Sequence, residues 1–322
     1  MGIPDWPFRG TDALAAGVVT RHRLRTEFTM VHRNVYVRRG QQLTPVTRAV
    51  AAWLWSGRTA TLAGLSAAAL HRTAWIDDWL PAELNRAGRD KARGIILHSD
   101  TLCDDETTMR DGMSLTTPAR TAFDLGRRKG LTTAVIRLDA LMHASDVKTA
   151  DVELLADRHR GARGLVQLRR VLTLVDGGAE SPYETKTRLL LAGSGLPRPQ
   201  TQIEVRNEWG AVLARIDMGW EEWKVGVEFD GAQHWTDPAQ RTRDIDRLAE
   251  LEARGWTIVR VSADMLRYRP YDILARTRNA LGASGCPLRS PSVDLLGTTQ
   301  PISPNKSTFG GKGRPFGGKG RP

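Results

Sequence analysis

The chain has few cysteines and no long hydrophobic run. Its 322 residues include two cysteines, Cys103 and Cys286, which lie far apart and lack ligand-like spacing, so the sequence indicates neither a disulfide framework nor a zinc site. No apolar stretch approaches the roughly 18 residues that would cross a bilayer. The amino terminus also lacks the basic and then apolar pattern of a signal peptide. We therefore expect a cytoplasmic protein without a membrane partner.

What the chain does have is enough length and apolar content for two ordinary domains. Hydrophobic residues make up 40% and charged residues 26% of the sequence, as in soluble globular proteins. The composition shifts at Asp-Gly-Gly and again near the end, where Phe-Gly-Gly-Lys-Gly-Arg-Pro occurs twice in succession. We predict four segments, of which the last is disordered because it cannot bury a core. They are residues 1–147, 148–177, 178–285 and 286–322.

Positive charge is concentrated outside the third segment. Residues 1–175 hold 26 Lys and Arg against 18 Asp and Glu, residues 176–296 hold 16 against 18, and residues 297–322 hold five against none. This distribution favours a polyanion that is held by the first half while the carboxylate-bearing part does chemistry on it. A soluble basic protein with Arg-rich helices would show the same balance, so charge alone leaves both interpretations open.

Two stretches of alternating apolar residues predict neighbouring strands in the third segment. They span residues 212–217 and 225–229, and a turn near residues 221–222 joins them. If the strands pair as a hairpin about this turn, Asp217 lies opposite residues 226–228.

Three carboxylates converge in this arrangement. Glu228 and Asp230 are two residues apart and share a face, near Asp217. Like charges that lie so close need a cation or a shared proton. Mg²⁺ prefers a few carboxylates together with water and phosphate oxygens, and it can activate water. We therefore predict a metal site of Asp217, Glu228 and Asp230. The competing interpretation is that all three are solvated strand and turn residues.

Two further residues flank these strands. Ser-Pro-Tyr-Glu predicts a helix start in which Ser181 is the N-cap and Glu184 is its capping-box partner. A capped first turn would also fix the direction of the Glu184 carboxylate. His234 follows the second strand and is a candidate proton donor or acceptor. A packed or turn-bonded histidine is an equally good interpretation of His234.

One pattern of residues and motifs covers about residues 178–281. It consists of Glu184, Asp217 and Val-Glu-Phe-Asp-Gly, followed by His234, a charged helix and Gly-Trp-Thr-Ile-Val-Arg-Val. This pattern resembles the very-short-patch-repair-like branch of the PD-(D/E)xK nuclease superfamily. The resemblance implies a restriction-endonuclease-like α-β-β-β-α-β core and a phosphodiesterase centre that uses Mg²⁺, for which Mn²⁺ can substitute. Asp217 and Glu228 would carry catalysis, supported by Glu184, Asp230 and His234. Asp230 stands where the superfamily pattern has Lys.

The first segment begins with the outline of a winged helix. Residues 11–17 predict a short helix closed by Gly, Thr20 is a suitable N-cap for a second helix, and residues 31–37 alternate as a strand. The second helix would lie along a DNA groove, and the wing would contact phosphates. Arginines on short exposed elements are often only solvated, which is the alternative. The predicted DNA-binding residues are Arg21, Arg23, Arg25, Arg33 and Arg38.

Three motifs follow one another over about residues 11–145. They are Asn-Val-Tyr-Val-Arg-Arg-Gly, Leu-Ser-Ala-Ala-Ala-Leu-His and Leu-Thr-Thr-Pro-Ala-Arg-Thr-Ala-Phe-Asp-Leu. Their order resembles the AbiEi-type antitoxin family, which implies an amino-terminal winged helix that binds DNA.

The predicted fold class is therefore α/β (α+β), with a winged helix and a mixed α/β region before a restriction-endonuclease-like domain. We expect a metal-dependent DNA endonuclease targeted by its amino-terminal region. The alternative is a DNA-binding regulator or antitoxin-like protein without enzymatic activity, in which the nuclease fold is degenerate.

Overall fold

The computed structural model describes residues 6–88, 92–231 and 238–288. Over these residues the chain forms twelve α-helices and three sheets, which confirms the predicted α/β class. None of the helices in these ranges is long and apolar enough to cross a bilayer. Most of the predicted tail, from residue 289 onward, lies outside the described residues.

The first elements form a small unit of two short helices and three strands. Thr20 accepts a hydrogen bond from the Arg23 amide at 3.2 Å, which confirms it as an N-cap. The hairpin arm predicted after the two helices is present, but the bounds of its strand are wrong, because a turn at Arg33 and Asn34, where φ of Asn34 is 61°, divides residues 31–37 between two strands. The antiparallel sheet has the order β1-β3-β2. The elements are β1 (Phe8–Arg9), α1 (Gly10–Ala15), α2 (Arg21–Thr26), β2 (Phe28–His32) and β3 (Val35–Arg38).

A five-stranded mixed sheet follows, with the order β6-β5-β4-β8-β7. Its apolar face packs with the helices before it into one core that contains Leu62, Leu84 and Leu115, each fully buried. The elements are α3 (Pro45–Trp55), β4 (Thr61–Leu62), α4 (Gly64–Leu70), β5 (Ala82–Asn85), β6 (Ile95–His98), β7 (Thr107–Arg110) and β8 (Met113–Thr116).

Four helices come next and share a second core. Leu138 on the second of them and Leu168 and Val171 on the fourth are completely buried together. The segment predicted as a connector, residues 148–177, therefore packs its apolar face against the helices that precede it. The elements are α5 (Pro118–Arg128), α6 (Leu131–Ala144), α7 (Thr149–Arg158) and α8 (Leu165–Leu172).

The third sheet has the order β12-β11-β10-β9 and carries the predicted α-β-β-β-α-β succession. Strands β10 and β11 are antiparallel, and β11 and β12 are parallel. Two final helices, which were not predicted, bury Met265, Ile273 and Leu281 against this sheet. The elements are α9 (Pro182–Ala192), β9 (Gln200–Arg206), β10 (Val212–Trp220), β11 (Val225–Asp230), α10 (Pro238–Ala253), β12 (Thr257–Ser262), α11 (Ala263–Tyr268) and α12 (Pro270–Ala283).

A buried ion pair fixes α9 against α6. Asp139 Oδ2 accepts hydrogen bonds from Arg188 Nη2 and from Thr185 Oγ1, both at 2.7 Å, and Asp139 Oδ1 accepts one from the Asp176 amide at 2.7 Å. The Asp139 and Arg188 side chains are 1% and 2% exposed. Because a buried carboxylate is tolerated only when it is paired and hydrogen-bonded, this cluster sets the position of α9.

Candidate active site on the third sheet

Asp217 lies at the centre of the candidate site. The register that pairs Met218 with Val227 brings Asp217 opposite Glu228, as predicted, and the Phe229 amide donates a hydrogen bond to Asp217 Oδ2 at 2.7 Å. Burial raises the pKa of Asp217 to about 7, and the charges of Glu184 and Glu228 act in the same direction, while the hydrogen bond from Phe229 opposes them. Near neutral pH this site therefore favours the binding of either a proton or a cation.

Glu184 lies in the first turn of α9, but the predicted capping box with Ser181 is only half formed. Its amide donates to Ser181 Oγ at 3.1 Å, which confirms the N-cap. The Glu184 carboxylate accepts from the Glu180 amide at 2.9 Å and not from the Ser181 amide, because the carboxylate reaches one residue further back than a capping box requires. Gln202 Nε2 also donates to Glu184 Oε2, at 3.2 Å. Burial raises the pKa of Glu184, and the charge of Glu184 in turn acts on Asp217.

Glu228 is engaged by a cation from α10. Arg247 Nη1 and Nη2 donate to the two carboxylate oxygens of Glu228 at 2.7 and 2.8 Å, and Glu228 is 8% exposed. The hydrogen bond to Glu228 raises the pKa of Arg247. This two-pronged contact is the strong form of a carboxylate–guanidinium pair. The sequence pattern places Arg247 on a charged helix, but only the packing of α10 shows that its side chain turns toward the site.

Asp230 has a different partner from the other carboxylates. Its Oδ2 accepts a hydrogen bond from Arg260 Nη2 of β12 at 2.5 Å. The structure thus brings together Glu184, Asp217 and Glu228, while Asp230 is paired with a neighbouring strand. His234, the remaining predicted catalytic residue, lies outside the described residues.

The positions of the predicted metal ligands show whether they fit a hard divalent cation. Among the described residues, Asp217, Glu228 and Asp230 do not form a group whose ligand atoms all lie within 4.8 Å of one another. Half-buried Asp217 and buried Glu184, both with raised pKa values, nevertheless place two more carboxyl groups beside Glu228. Oxygen donors with uncompensated charge fit Mg²⁺ or Mn²⁺. Asp217 and Glu228 are the residues that would hold such an ion.

Another acidic group lies outside the third sheet. Cys103, Asp105 and Glu106 do bring three ligand atoms within 4.8 Å of one another. Arg158 engages Asp105, however, and Arg120 and His159 engage Glu106. Burial would raise the pKa of Glu106, but the hydrogen bonds and charges of His159 and Arg120 hold it below its ordinary value, in contrast to Asp217 and Glu184, so this group does not indicate a metal centre.

An exposed tryptophan that sequence reasoning missed lies beside α9. Trp75 is 54% exposed, and its Nε1 donates to the Glu180 carbonyl at 3.1 Å. Its backbone has φ of 62°, which is rare for a bulky residue, and Arg137 donates a hydrogen bond to its carbonyl. The loop between α4 and β5 therefore holds an aromatic side chain next to the first turn that carries Glu184.

The predicted DNA-binding arginines all lie in the first small unit. Arg23 on α2 donates from Nε and Nη2 to the Glu27 carboxylate at 2.7 and 2.9 Å. The other four are exposed, on α2, at the hairpin turn and at the end of β3. They are Arg21, Arg25, Arg33 and Arg38.

A model of the restriction-endonuclease-like family REase_MTES_1575 matches residues 199–281. The matched stretch begins at β9, ends in α12 and contains Asp217, Glu228 and Asp230, whereas Glu184 precedes it. The C-terminal part of the described chain therefore carries a restriction-endonuclease-like domain.

Two proteins of Mycobacterium tuberculosis are similar to this chain. They are the uncharacterized protein MT2308 of strain CDC 1551 / Oshkosh and the uncharacterized protein Rv2248 of strain ATCC 25618 / H37Rv. Each is 33% identical over 165 residues, which is 51% of this chain and 60% of the relative. The similarity thus spans less than two thirds of each relative, and their names state no activity.

Proposed function

We propose that this protein is a divalent-metal-dependent DNA endonuclease that hydrolyses phosphodiester bonds at Asp217. The observation that carries the proposal is the half-buried Asp217 carboxylate, whose pKa is raised to about 7 beside Glu184 and Glu228, within a restriction-endonuclease-like domain. Perturbed carboxylates of this kind are typical of functional sites. A bound Mg²⁺ or Mn²⁺ would activate water and stabilise the leaving oxygen.

The residues of this chain have separate roles in the proposal. Asp217 and Glu228 hold the ion, and Glu184 adds negative charge from the capped first turn of α9. Asp230 cannot supply the positive charge of the superfamily Lys. Arg247, which is already in contact with Glu228, supplies it instead and can pair with a phosphate oxygen through its planar fork.

The amino-terminal region holds the DNA in this proposal. Residues 1–175 carry 26 Lys and Arg against 18 Asp and Glu, and the two helices and hairpin of their first small unit have the element order of a winged helix. The resemblance of residues 11–145 to AbiEi-type antitoxins supports the same role. The very-short-patch-repair-like resemblance supports duplex DNA as the substrate.

Supercoiled plasmid tests the proposed reaction. The purified full chain should convert it to open-circular or linear form with Mg²⁺ or Mn²⁺ and should leave it intact with chelator. Plasmid that binds but stays intact with both ions would contradict the proposal. That result would favour a DNA-binding regulator with a degenerate nuclease fold, an alternative that the arginine pairing of both Glu228 and Asp230 supports.

Substitution of Arg247 tests the metal site without measuring cleavage. Arg247→Gln leaves the buried Glu228 without its cation, so we expect the free energy of unfolding in chelator to fall by about 1–3 kcal/mol. Mg²⁺ should then raise the melting temperature more in the variant than in the wild type, because the ion replaces the lost guanidinium charge. Differential scanning fluorimetry with and without Mg²⁺ measures both effects.

Arg254→Gln is the matched control, because it breaks an exposed pair with Glu250, worth less than about 1 kcal/mol, away from the carboxylates. Equal Mg²⁺ shifts in Arg247→Gln, Arg254→Gln and the wild type would remove Glu228 from the metal site.

A further inference from the structure

An open groove of about 960 Å³ lies beside the β2–β3 hairpin. Its lining includes residues from β1, the hairpin, the end of α3 and the segments next to β5 and β6. Four of the described lining residues are arginines, and none of the described lining residues is Asp or Glu. The arginines are Arg9, Arg33, Arg86 and Arg93. A concave surface with one sign of charge concentrates counterions of the opposite sign.

Two of these arginines are available to a ligand. Arg33 and Arg93 are exposed and form no ion pair with any residue that the structure describes. Arg9 is 3.8 Å from Asp12, whose closer partner is Arg58 at 2.9 Å, so Arg9 is held only weakly. The groove therefore has positive charge that the described protein does not neutralise.

The exposed surface of α2 is a weaker candidate for binding a polyanion than the groove. It is a helix of six residues, and Glu27 engages both Nε and Nη2 of Arg23. This leaves Arg21 and Arg25 exposed and outside the groove lining, on one short helix where a phosphate would have fewer simultaneous arginine partners than in the groove. The concave side of the hairpin is therefore the better polyanion site.

The groove lining also indicates which form of DNA it fits. Proteins that bind single strands usually offer open aromatic faces on which bases stack. The described lining residues include two aromatic rings, a half-buried His32 and Trp55, and the Arg86 guanidinium lies over the Trp55 ring, 5.6 Å from the centroid. Arginine forks match phosphate oxygens. We infer that this groove, and not α2, binds the phosphodiester backbone of duplex DNA.

This inference rests on DNA as the substrate of the proposed function, but its test does not depend on cleavage. The full chain in chelator is titrated into a labelled duplex, and anisotropy gives the affinity over a series of NaCl concentrations. Arg33→Ala/Arg93→Ala should reduce the magnitude of the negative slope of log K against log salt by about 1.8, or about 0.9 per phosphate contact. The same variant should weaken binding roughly tenfold or more. Arg21→Ala/Arg25→Ala, which removes the same charge from α2, should leave the slope unchanged.

If the magnitude of the slope falls equally in both double variants, or only in the α2 variant, the assignment of DNA binding to the groove is wrong. A single-stranded oligonucleotide of the same length that competes as well as the duplex would overturn the choice of duplex. Because chelator stops metal-dependent cleavage, an inactive nuclease with this slope difference would defeat the proposed reaction while leaving the groove assignment intact.

Discussion

Asp217→Asn is expected to reduce metal-dependent plasmid cleavage by on the order of a hundredfold or more while the protein stays folded. Asn keeps the size of the side chain and an oxygen that can accept from the Phe229 amide, but it loses the charge that would hold the ion. Nicking rates of the wild type and the variant, measured at saturating Mg²⁺, test this directly. A variant that cleaves at the wild-type rate would exclude Asp217 from the site.

The same substitution changes how stability depends on pH. The pKa of Asp217 is about 7 in the folded protein, above the ordinary value of about 3.9. Between these values the folded state binds more protons than the unfolded state, so wild-type stability should fall as pH rises from about 4 to about 7. The full loss is on the order of 4 kcal/mol above pH 7. Asp217→Asn lacks this penalty and should be more stable than the wild type there.

Denaturant unfolding in chelator on both sides of this pH window measures the difference. Asp246→Asn, which removes the charge of an exposed residue on α10, is the matched control and should follow the wild type. Added Mg²⁺ should restore wild-type stability at the higher pH, because the bound ion would compensate the desolvated Asp217 charge and the repulsion from its neighbours, and should not affect Asp217→Asn. A wild type that is more stable than Asp217→Asn at the higher pH in chelator would contradict the raised pKa.

Local patterns explain what could be predicted from the sequence. Alternating apolar residues define β10 and β11, and the turn near residues 221–222 limits their register, so counting places Asp217 opposite residues 226–228, a range that contains its observed neighbour Glu228. Ser181 before Pro182 likewise fixes where α9 starts. These features depend on residues that are close in sequence.

Contacts between distant elements could not be predicted in this way. Arg247 reaches Glu228, and Arg260 reaches Asp230, only because the four-stranded order places α10 and β12 beside β11. Neither partner can be read from spacing, since an arginine on a charged helix usually faces solvent. Trp75 illustrates the same limit, because its contact with Glu180 joins residues 105 positions apart. For the arginine–carboxylate pairs, the sequence does indicate that partners must exist, because clustered carboxylates require cations from elsewhere in the fold.

Arg188→Met should lower the free energy of unfolding by about 3–5 kcal/mol, because it leaves the Asp139 carboxylate buried without its cation. Arg169→Met is the control, since its pair with Asp157 spans 3.7 Å and both side chains are at least 60% exposed, so the loss should be below about 1 kcal/mol. Chemical denaturation of both variants gives these values.

The double variant Asp139→Asn/Arg188→Met shows whether the loss comes from the unpaired charge. It removes both charges and keeps an oxygen acceptor for the Asp176 amide, so it should recover part of the stability lost in Arg188→Met. Since α9 carries Glu184, Arg188→Met should also cleave plasmid more slowly than the double variant at temperatures where both are folded. If Arg188→Met costs no more than Arg169→Met, the ion pair between α6 and α9 does not hold the candidate site in place.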